Sequence, residues 1–200
     1  DGYCPLKFTY FSSSMVYGDF QSEIATEVHP TVPKEVYGTM KLAGEIVTRG
    51  LADFYRIPYT IVRPSAVYGP TDMNRRVSQI FIEKAFNKQK IQVHGKDEKL
   101  DFTYIKDIAH GAVLATIKDE AKGESFNITH GEAHSLFEYV ECLKVHFPDL
   151  DYEIVPRDSF RPKRGTLSID KASELLGYSP QYSLREGVDD YVKFINKHWK

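Results

Sequence analysis

Short apolar runs that alternate with longer amphipathic segments predict an α/β protein. The run from Leu6 to Ser12 predicts a short buried strand, and apolar positions near helical spacing (Leu42, Ile46, Val47 and Leu51) predict a helix over about 34–55. Further strands are predicted at 59–62, 91–95, 101–105 and 125–128, and further helices at 76–87 and 107–117. Strands that alternate with helices indicate a mainly parallel sheet.

Two capping boxes predict the starts of helices in the last third of the chain. Ser135 is followed three residues later by Glu138, and Ser183 by Glu186, so that hydroxyl and carboxylate can satisfy each other's free backbone amides. The helix after Ser183 carries a single apolar stripe, which predicts that it docks on a core. The stripe consists of Leu184, Val188, Tyr191, Val192, Ile195 and Trp199.

The elements become shorter and less regular in the second half of the chain. We therefore expect two parts, with 1–74 belonging to an open, doubly wound parallel sheet and 75–200 forming mainly a smaller mixed α/β lid that binds substrate. Some segments of the second part are expected to return to the sheet. Open α/β sheets bind ligands beyond the carboxyl ends of their strands, and Ser13 follows the first predicted strand directly.

Composition narrows the class of protein. The 200 residues, 42% of them hydrophobic, are enough for a sizeable core. The net charge of −2 indicates neither a nucleic-acid-binding surface nor a polybasic membrane patch. Cys4 and Cys142 fit no disulfide framework or metal-ligand spacing, which favours a reducing compartment. No apolar run approaches 18 residues, so we expect a cytoplasmic protein.

Ser13, Tyr37 and Lys41 are the candidates for proton-transfer chemistry. Tyr37 and Lys41 lie four residues apart on one predicted helix, so their side chains share a face. An ammonium about 4 Å from a phenolate stabilises it by roughly 4 kcal/mol at an effective dielectric of about 20, which would make Tyr37 a workable general base. Ser13 would hydrogen-bond the reacting oxygen. The spacing alone is a weak signal, because Tyr3 and Lys7 share it with a proline between them.

Five motifs occur in a fixed order around these residues. They are Ser12-Ser-Ser-Met-Val-Tyr-Gly18, Tyr37-Gly-Thr-Met-Lys-Leu-Ala-Gly-Glu45, Arg63-Pro-Ser-Ala-Val-Tyr-Gly-Pro70, Asp101-Phe-Thr-Tyr-Ile-Lys-Asp107 and, near the end, Asp170-Lys-Ala-x-x-Leu-Leu-Gly-Tyr-x-Pro180. Together they resemble the extended short-chain dehydrogenase/reductases, in particular the NAD-dependent nucleotide-sugar epimerase/dehydratase branch. The resemblance implies a partial Rossmann sheet whose first βαβ units precede Asp1, NAD (with NADP as the alternative) as cofactor, and a homodimer formed through the Tyr-Lys helix and its neighbour.

The resemblance also implies roles for individual residues. Ser13, Tyr37 and Lys41 would be catalytic and would contact the cofactor, and Pro64 and Ser65 would line the nicotinamide pocket. The substrate would be a nucleotide-diphosphate sugar, with Arg161 on its diphosphate, Gln92, Val93 and His94 at its base, and Arg75, Arg76 or Arg164 as further candidates for the phosphates. The implied substrate-binding residues are Ser14, Ala66, Arg76, Gln92, Val93, His94 and Arg161.

Departures from the family pattern bear on the reaction. Members that eliminate water carry an Asp and a Glu where this chain has Ser14 and Met15, and a thioether cannot abstract a proton. Leu100 and Ala66 also replace an arginine and an asparagine that are common in the family. The resemblance therefore favours a 4-epimerase that passes through a 4-keto sugar. A 4,6-dehydratase, an NAD(P)-linked ketoreductase and a non-catalytic dinucleotide-binding sensor are the alternatives.

The segment from His130 to His134 has the composition of a metal site. Gly131 and the preceding predicted strand place it in a loop, and the family has a similar turn there. We therefore expect no metal.

Overall fold

The computed structural model describes residues 7–199, which form six α-helices and eleven short strands. The predictions for Tyr3, Cys4 and Leu6 concern residues outside this described range. The helices are α1 (Val36–Tyr55), α2 (Val77–Phe86), α3 (Ile105–Ile117), α4 (Leu136–Lys144), α5 (Asp170–Leu176) and α6 (Leu184–His198). The strands are β1 (Phe8–Phe11), β2 (Ile24–Ala25), β3 (Tyr59–Arg63), β4 (Val67–Tyr68), β5 (Ile91–His94), β6 (Lys99–Leu100), β7 (Thr103–Tyr104), β8 (Ser125–Asn127), β9 (His134–Ser135), β10 (Tyr152–Val155) and β11 (Thr166–Leu167).

The main sheet has the strand order β1-β3-β8, and both of its pairings are parallel. In its register, Phe8 lies beside Tyr59 and Ile61 beside Ser125. The apolar run Tyr59-Thr-Ile-Val is long enough for one fully buried central strand. The predicted α/β class with a mainly parallel sheet is confirmed, and of the six strand pairings between residues 7 and 199 only β6–β9 is antiparallel.

A second core lies beside the main sheet. Strands β5 and β10 pair in parallel, and helices α2, α4 and α6 contribute most of the buried side chains around them. The apolar stripe on α6 is buried as predicted, from Leu184 at 5% exposed to Ile195 at 0%. Both capping boxes are present, at Ser135 with Glu138 and at Ser183 with Glu186.

Helix α1 differs from the pattern that predicted it. Its apolar residues Ile46, Val47 and Leu51 are more than half exposed, whereas Glu45 and Thr48 are buried against the sheet. The buried face is narrow because α1 lies very close to its neighbours. A Cβ at Gly38 would stand 2.5 Å from the carbonyl oxygen of Met15, so only glycine fits there.

None of the helices between residues 7 and 199 is both long enough and apolar enough to cross a lipid bilayer.

Candidate active site

Ser13 lies where the carboxyl ends of β1 and β3 meet. It is the N-cap of a short 3₁₀ turn over Ser14–Tyr17, and its Oγ accepts a hydrogen bond from the Met15 amide at 3.2 Å. The Ser14 amide donates to the Pro64 carbonyl at 2.9 Å, which attaches the turn to the end of β3. Ser13 is therefore fixed by its own backbone context at the edge where open α/β sheets bind ligands.

Tyr37 and Lys41 lie on successive turns of α1. The Lys41 ammonium is 5.7 Å from the centre of the Tyr37 ring, and the guanidinium carbon of Arg76 is 5.8 Å from the same ring. Lys41 also donates to the Phe11 carbonyl at 2.8 Å, two residues before Ser13. The Tyr37 side chain is 43% exposed, so its ring remains accessible from the cavities beside it. The structure thus brings Tyr37, Lys41 and the Ser13 segment to one place.

Two cavities meet at Tyr37. The smaller, of about 270 Å³, is lined by Ser13, Tyr37 and Pro64 together with the loop that follows β4. The larger, of about 500 Å³, shares Tyr37 and Arg76 with it. The predicted substrate residues that line the larger cavity are Ala66, Arg76, Gln92, His94 and Arg161. Ser14, Ser65 and Val93 are at most 3% exposed and line neither cavity, so the structure does not bring these three predicted residues to the cavity walls.

The larger cavity carries more positive than negative charge. Two of its arginines are neutralised locally, Arg157 by Glu98 and Arg161 by Asp158 at 3.3 Å. Arg164 forms no ion pair with any residue in 7–199, and its Nε is buried without a hydrogen-bond partner. Burial lowers the pKa of Arg164 to about 10, and the charge of Arg76 acts in the same direction. Such an arrangement is suited to an anionic ligand, because an acceptor on the ligand would satisfy a donor that no residue in 7–199 satisfies.

A buried polar network adjoins the segment that carries Ser13. Arg63, at the end of β3, donates to both carboxylate oxygens of Glu45 on α1, from Nε at 2.9 Å and from Nη2 at 2.6 Å. Its Nη1 donates to the Tyr17 hydroxyl at 2.9 Å, and Tyr17 donates to Asn127 at 2.7 Å. Burial raises the pKa of Tyr17 to about 12, so this hydroxyl stays protonated. The sequence contained the signal for Glu45, one helical turn beyond Lys41, but nothing that identified Arg63 as its partner.

The segment from His130 to His134 brings together three side chains of types that can ligate a metal. The ligand atoms of His130, Glu132 and His134 lie within 4.8 Å of one another. Hydrogen bonds hold the loop, since the backbone amides of His130 and Gly131 both donate to the buried carboxylate of Asp101. The shape of this loop is therefore explained by protein contacts.

Comparison with known proteins agrees with this geometry. Residues 3–129 match the model of the NAD dependent epimerase/dehydratase family. The chain is 28% identical over 200 residues to the "Uncharacterized UDP-glucose epimerase YtcB" of Bacillus subtilis (strain 168), covering 94% of this chain and 60% of that protein. It is 27% identical over 205 residues to the dTDP-D-glucose 4,6-dehydratase of Mus musculus, covering 97% and 58%.

A solved structure shows the same fold. The crystal structure of UDP-glucuronic acid 4-epimerase from Bacillus cereus, in complex with UDP-glucuronic acid and NAD, superposes with a TM-score of 0.90 at 29% identity, covering 96% of this chain and 62% of that one. This chain therefore belongs to the NAD-dependent epimerase/dehydratase family and has its Rossmann fold. It spans about three fifths of the length of the curated relatives it matches.

Proposed function

We propose that this chain carries the catalytic tyrosine and the sugar-nucleotide cavity of an NAD-dependent nucleotide-sugar 4-epimerase. The observation that supports this most directly is the position of Tyr37, which lines both cavities. Ser13 lines the smaller cavity, and Arg161 and Arg164 line the larger one. A base between a cofactor site and an anion site is what oxidation of a sugar hydroxyl at C4 requires.

Each of the three polar side chains has a separate task in the proposed reaction. Tyr37 takes the proton from the C4 hydroxyl of the sugar and returns it after the 4-keto sugar has turned over. Lys41, with its ammonium 5.7 Å from the ring, stabilises the phenolate that forms in between. Ser13 donates a hydrogen bond to the C4 oxygen and holds it close to Tyr37.

The residues present fit a bound dinucleotide. The Lys41 ammonium has three N–H donors, and the Phe11 carbonyl takes only one of them, which leaves donors for ribose hydroxyls. Pro64 and Ser13 form walls of the smaller cavity, where a flat nicotinamide ring can lie. NAD, when bound, supplies the acceptor and donor of the hydride from sugar C4.

The same cavity supports an epimerase better than a dehydratase. Elimination of water needs an acid and a base near sugar C5 and C6, but the side chain at the family's glutamate position is Met15, which lines the larger cavity. The Ser14 side chain is buried. Glu35 also lines this cavity, two residues before Tyr37, and it is the observation that favours a 4,6-dehydratase as the second candidate.

The test is to incubate the full-length protein with UDP- and dTDP-hexoses and follow the products by NMR. We expect the C4 epimers to interconvert without net consumption of NAD. A 4-keto-6-deoxy product that disappears in a Glu35→Gln variant would establish the dehydratase. Stoichiometric loss of NADPH would establish a reductase, and no turnover of any sugar nucleotide would leave the sensor.

Tyr37→Phe isolates the base in this reaction. Loss of the phenolic oxygen removes the proton acceptor, so we expect kcat to fall by at least about 100-fold while UDP still binds. Tyr55→Phe is the matched control, because Tyr55 is an exposed tyrosine at the other end of the same helix. Equal activity of Tyr37→Phe and the wild type would contradict the proposal.

We also propose a homodimer in which α1 packs against α1 of a second copy. Its outer face exposes Ile46, Val47, Leu51 and Phe54, each more than half accessible, and an apolar face of this size on one helix is typical of an interface. Light scattering should give a dimer for the full-length protein and a monomer for Val47→Glu/Phe54→Glu. A monomeric wild type would contradict this arrangement.

The division near residue 75 and a cytoplasmic location stay proposals. There are two separate buried clusters, but the one beside the main sheet takes all of its buried members except Val62 from between Ile108 and Tyr178, which supports the return of later segments to the sheet rather than a clean division at 75. The free thiol of Cys142 is compatible with a reducing compartment.

A further inference from the structure

We infer that Glu45 and Arg63 act as positioning residues, whose ion pair sets the distance between Tyr37 and Ser13. The inference rests on the proposed function, since it concerns how those two hydroxyls are held for the same reaction. Neither residue lines either cavity.

Helix α1 is attached to the Ser13 segment at two successive turns. Lys41 donates to the Phe11 carbonyl at 2.8 Å, and one turn later Glu45 accepts a hydrogen bond from the Ser12 hydroxyl. These contacts involve the two residues immediately before Ser13. Tyr37, one turn before Lys41, therefore has its position along the sheet edge fixed by how Glu45 is held.

Arg63 holds the Glu45 carboxylate in a single orientation. Two parallel N–H···O bonds of 2.9 and 2.6 Å leave it little freedom to rotate, and the two side chains are buried, with Arg63 4% and Glu45 1% exposed. Burial alone would raise the pKa of Glu45, but the hydrogen bonds and charge of Arg63 hold it below its usual value. The carboxylate thus stays ionised and able to accept from Ser12.

The same arginine reaches the other side of Ser13. The residue after Arg63 is Pro64, whose carbonyl accepts from the Ser14 amide at 2.9 Å. Arg63 also donates to Tyr17 at the end of the 3₁₀ turn that Ser13 caps. The ion pair therefore connects α1 to the chain both before and after Ser13.

Helix α1 packs so closely against the Ser13 segment that it cannot move locally without displacing its neighbours. Gly38 is the residue after Tyr37, and its Cα faces the Met15 carbonyl so closely that a Cβ would stand 2.5 Å away. A displacement of α1 at Glu45 must accordingly be transmitted to Tyr37. Catalytic groups displaced by about 1 Å can lose about 100-fold in rate.

The ion pair between Glu45 and Arg63 also keeps the Lys41 ammonium available to Tyr37. If Arg63 were absent, the buried Glu45 carboxylate would be left with the partly exposed Arg49, 3.6 Å from its Oε2, and would compete with Tyr37 for the Lys41 ammonium one helical turn away. With Glu45 held by Arg63, the Lys41 ammonium donates to the Phe11 carbonyl and lies 5.7 Å from the centres of both the Tyr37 and the Tyr10 rings.

The test separates position from stability. The double variant Glu45→Met/Arg63→Met removes both charges and leaves none buried alone, so it should fold with a melting temperature close to that of the wild type. We expect kcat to fall 10- to 100-fold while the Kd for UDP changes less than twofold. Ser183→Ala is the control for mild destabilisation, because it removes a helix cap that lines neither cavity and should leave kcat per folded molecule unchanged.

Ser12→Ala and Arg63→Lys give the same test if the double variant does not fold. Ser12→Ala should lower kcat several-fold, and Arg63→Lys should retain more activity than Arg63→Gln at equal stability. A folded double variant with wild-type kcat, or a loss of kcat that merely follows the loss of folded protein, would overturn the inference.

A crystal structure of the double variant distinguishes this failure from that of the proposed function. If the wild type turns over no sugar nucleotide, the proposed function fails. The positioning is then judged by the 2.8 Å contact between Lys41 Nζ and the Phe11 carbonyl. Its loss in the variant would support the inference, and its persistence would refute it.

Discussion

Arg164, in the larger cavity, combines a buried hydrogen-bond donor that has no partner in residues 7–199 with a pKa that burial lowers. The donor is its Nε, and the charges of Arg76 and Arg161 repel the guanidinium, although Glu35 attracts it. Arg161, which the family resemblance implied for the diphosphate, is exposed and already paired with Asp158. The unsatisfied donor at Arg164 therefore makes it the better candidate for the main phosphate contact.

Replacing Arg164 should change affinity and stability in opposite directions. Arg164→Met removes a half-buried charge whose Nε donor has no hydrogen-bond partner in residues 7–199, so we expect the melting temperature of the free protein to rise. It also removes a charge-assisted hydrogen bond worth about 1.5–3 kcal/mol, so the affinity for UDP should fall about 10- to 150-fold. Scanning calorimetry and isothermal titration with UDP measure the two effects.

Arg161→Met is the matched control for this prediction. Arg161 is a half-exposed arginine of the same cavity whose charge is already balanced by Asp158, so its loss should move both quantities little. If Arg161→Met weakened UDP binding more than Arg164→Met, the assignment of the phosphate contact would have to be reversed.

Helix α6 shows how a local signal predicts an element. Ser183 and Glu186 satisfy each other's backbone amides, with the Glu186 amide donating to Ser183 Oγ at 3.3 Å. Ser183→Ala should cost about 1 kcal/mol of the free energy of unfolding, which lowers the melting temperature by roughly 2–4 °C in a protein of this size. Urea unfolding measures it. Ser179→Ala, at an exposed serine before the helix, should have no measurable effect.

Elements with local signals could be predicted, and those that depend on distant partners could not. The capping boxes at Ser135 and Ser183 and the strand at 59–62 depend on residues close together in the sequence, and the structure contains all three. Strand β10 was missed because its hydrogen bonds come from β5, about 60 residues earlier, and its own four residues show no clear alternation.

Helix α1 was predicted correctly as an element, but its buried face was not. Its apolar spacing predicted a helix, and the helix is present, but the face against the sheet carries Glu45 and Thr48 while Ile46 and Val47 are exposed. Hydrophobicity alone does not identify the buried face of a helix whose inner face carries polar residues and whose outer face carries apolar ones. The inner surface of α1 makes hydrogen bonds to the sheet edge through Lys41 and Glu45, and its outer apolar surface is the one that we propose for the dimer.

At the scale of the whole molecule, Asp101 connects three distant segments. This fully buried carboxylate accepts hydrogen bonds from the amides of His130 and Gly131, at 3.0 and 3.2 Å, and from Leu167 in β11 at 3.2 Å. Burial raises the pKa of Asp101 to about 7, although these amides act in the opposite direction. The folded protein therefore binds a proton at Asp101 that the unfolded chain has already released above about pH 4.

The sign of the resulting pH dependence follows from this difference. Between about pH 4 and pH 7 the folded state holds more protons at Asp101 than the unfolded state, so this residue's contribution to stability falls as the pH rises through the interval and is constant above it. The total change is on the order of 4 kcal/mol. Urea unfolding at intervals from pH 4.5 to pH 8 measures the slope.

Asp101→Asn should remove that slope, whatever it does to stability at a single pH. The amide cannot titrate, but its NH₂ group would face the donors at Gly131 or Leu167, so the variant will be less stable overall. Asp19→Asn is the control, because the hydrogen bond from Lys34 lowers the pKa of Asp19 and its contribution therefore changes only below about pH 4. A wild type and an Asp101→Asn variant with the same slope between pH 5 and 7 would mean that Asp101 is ionised throughout, held by the three amides strongly enough to outweigh its burial.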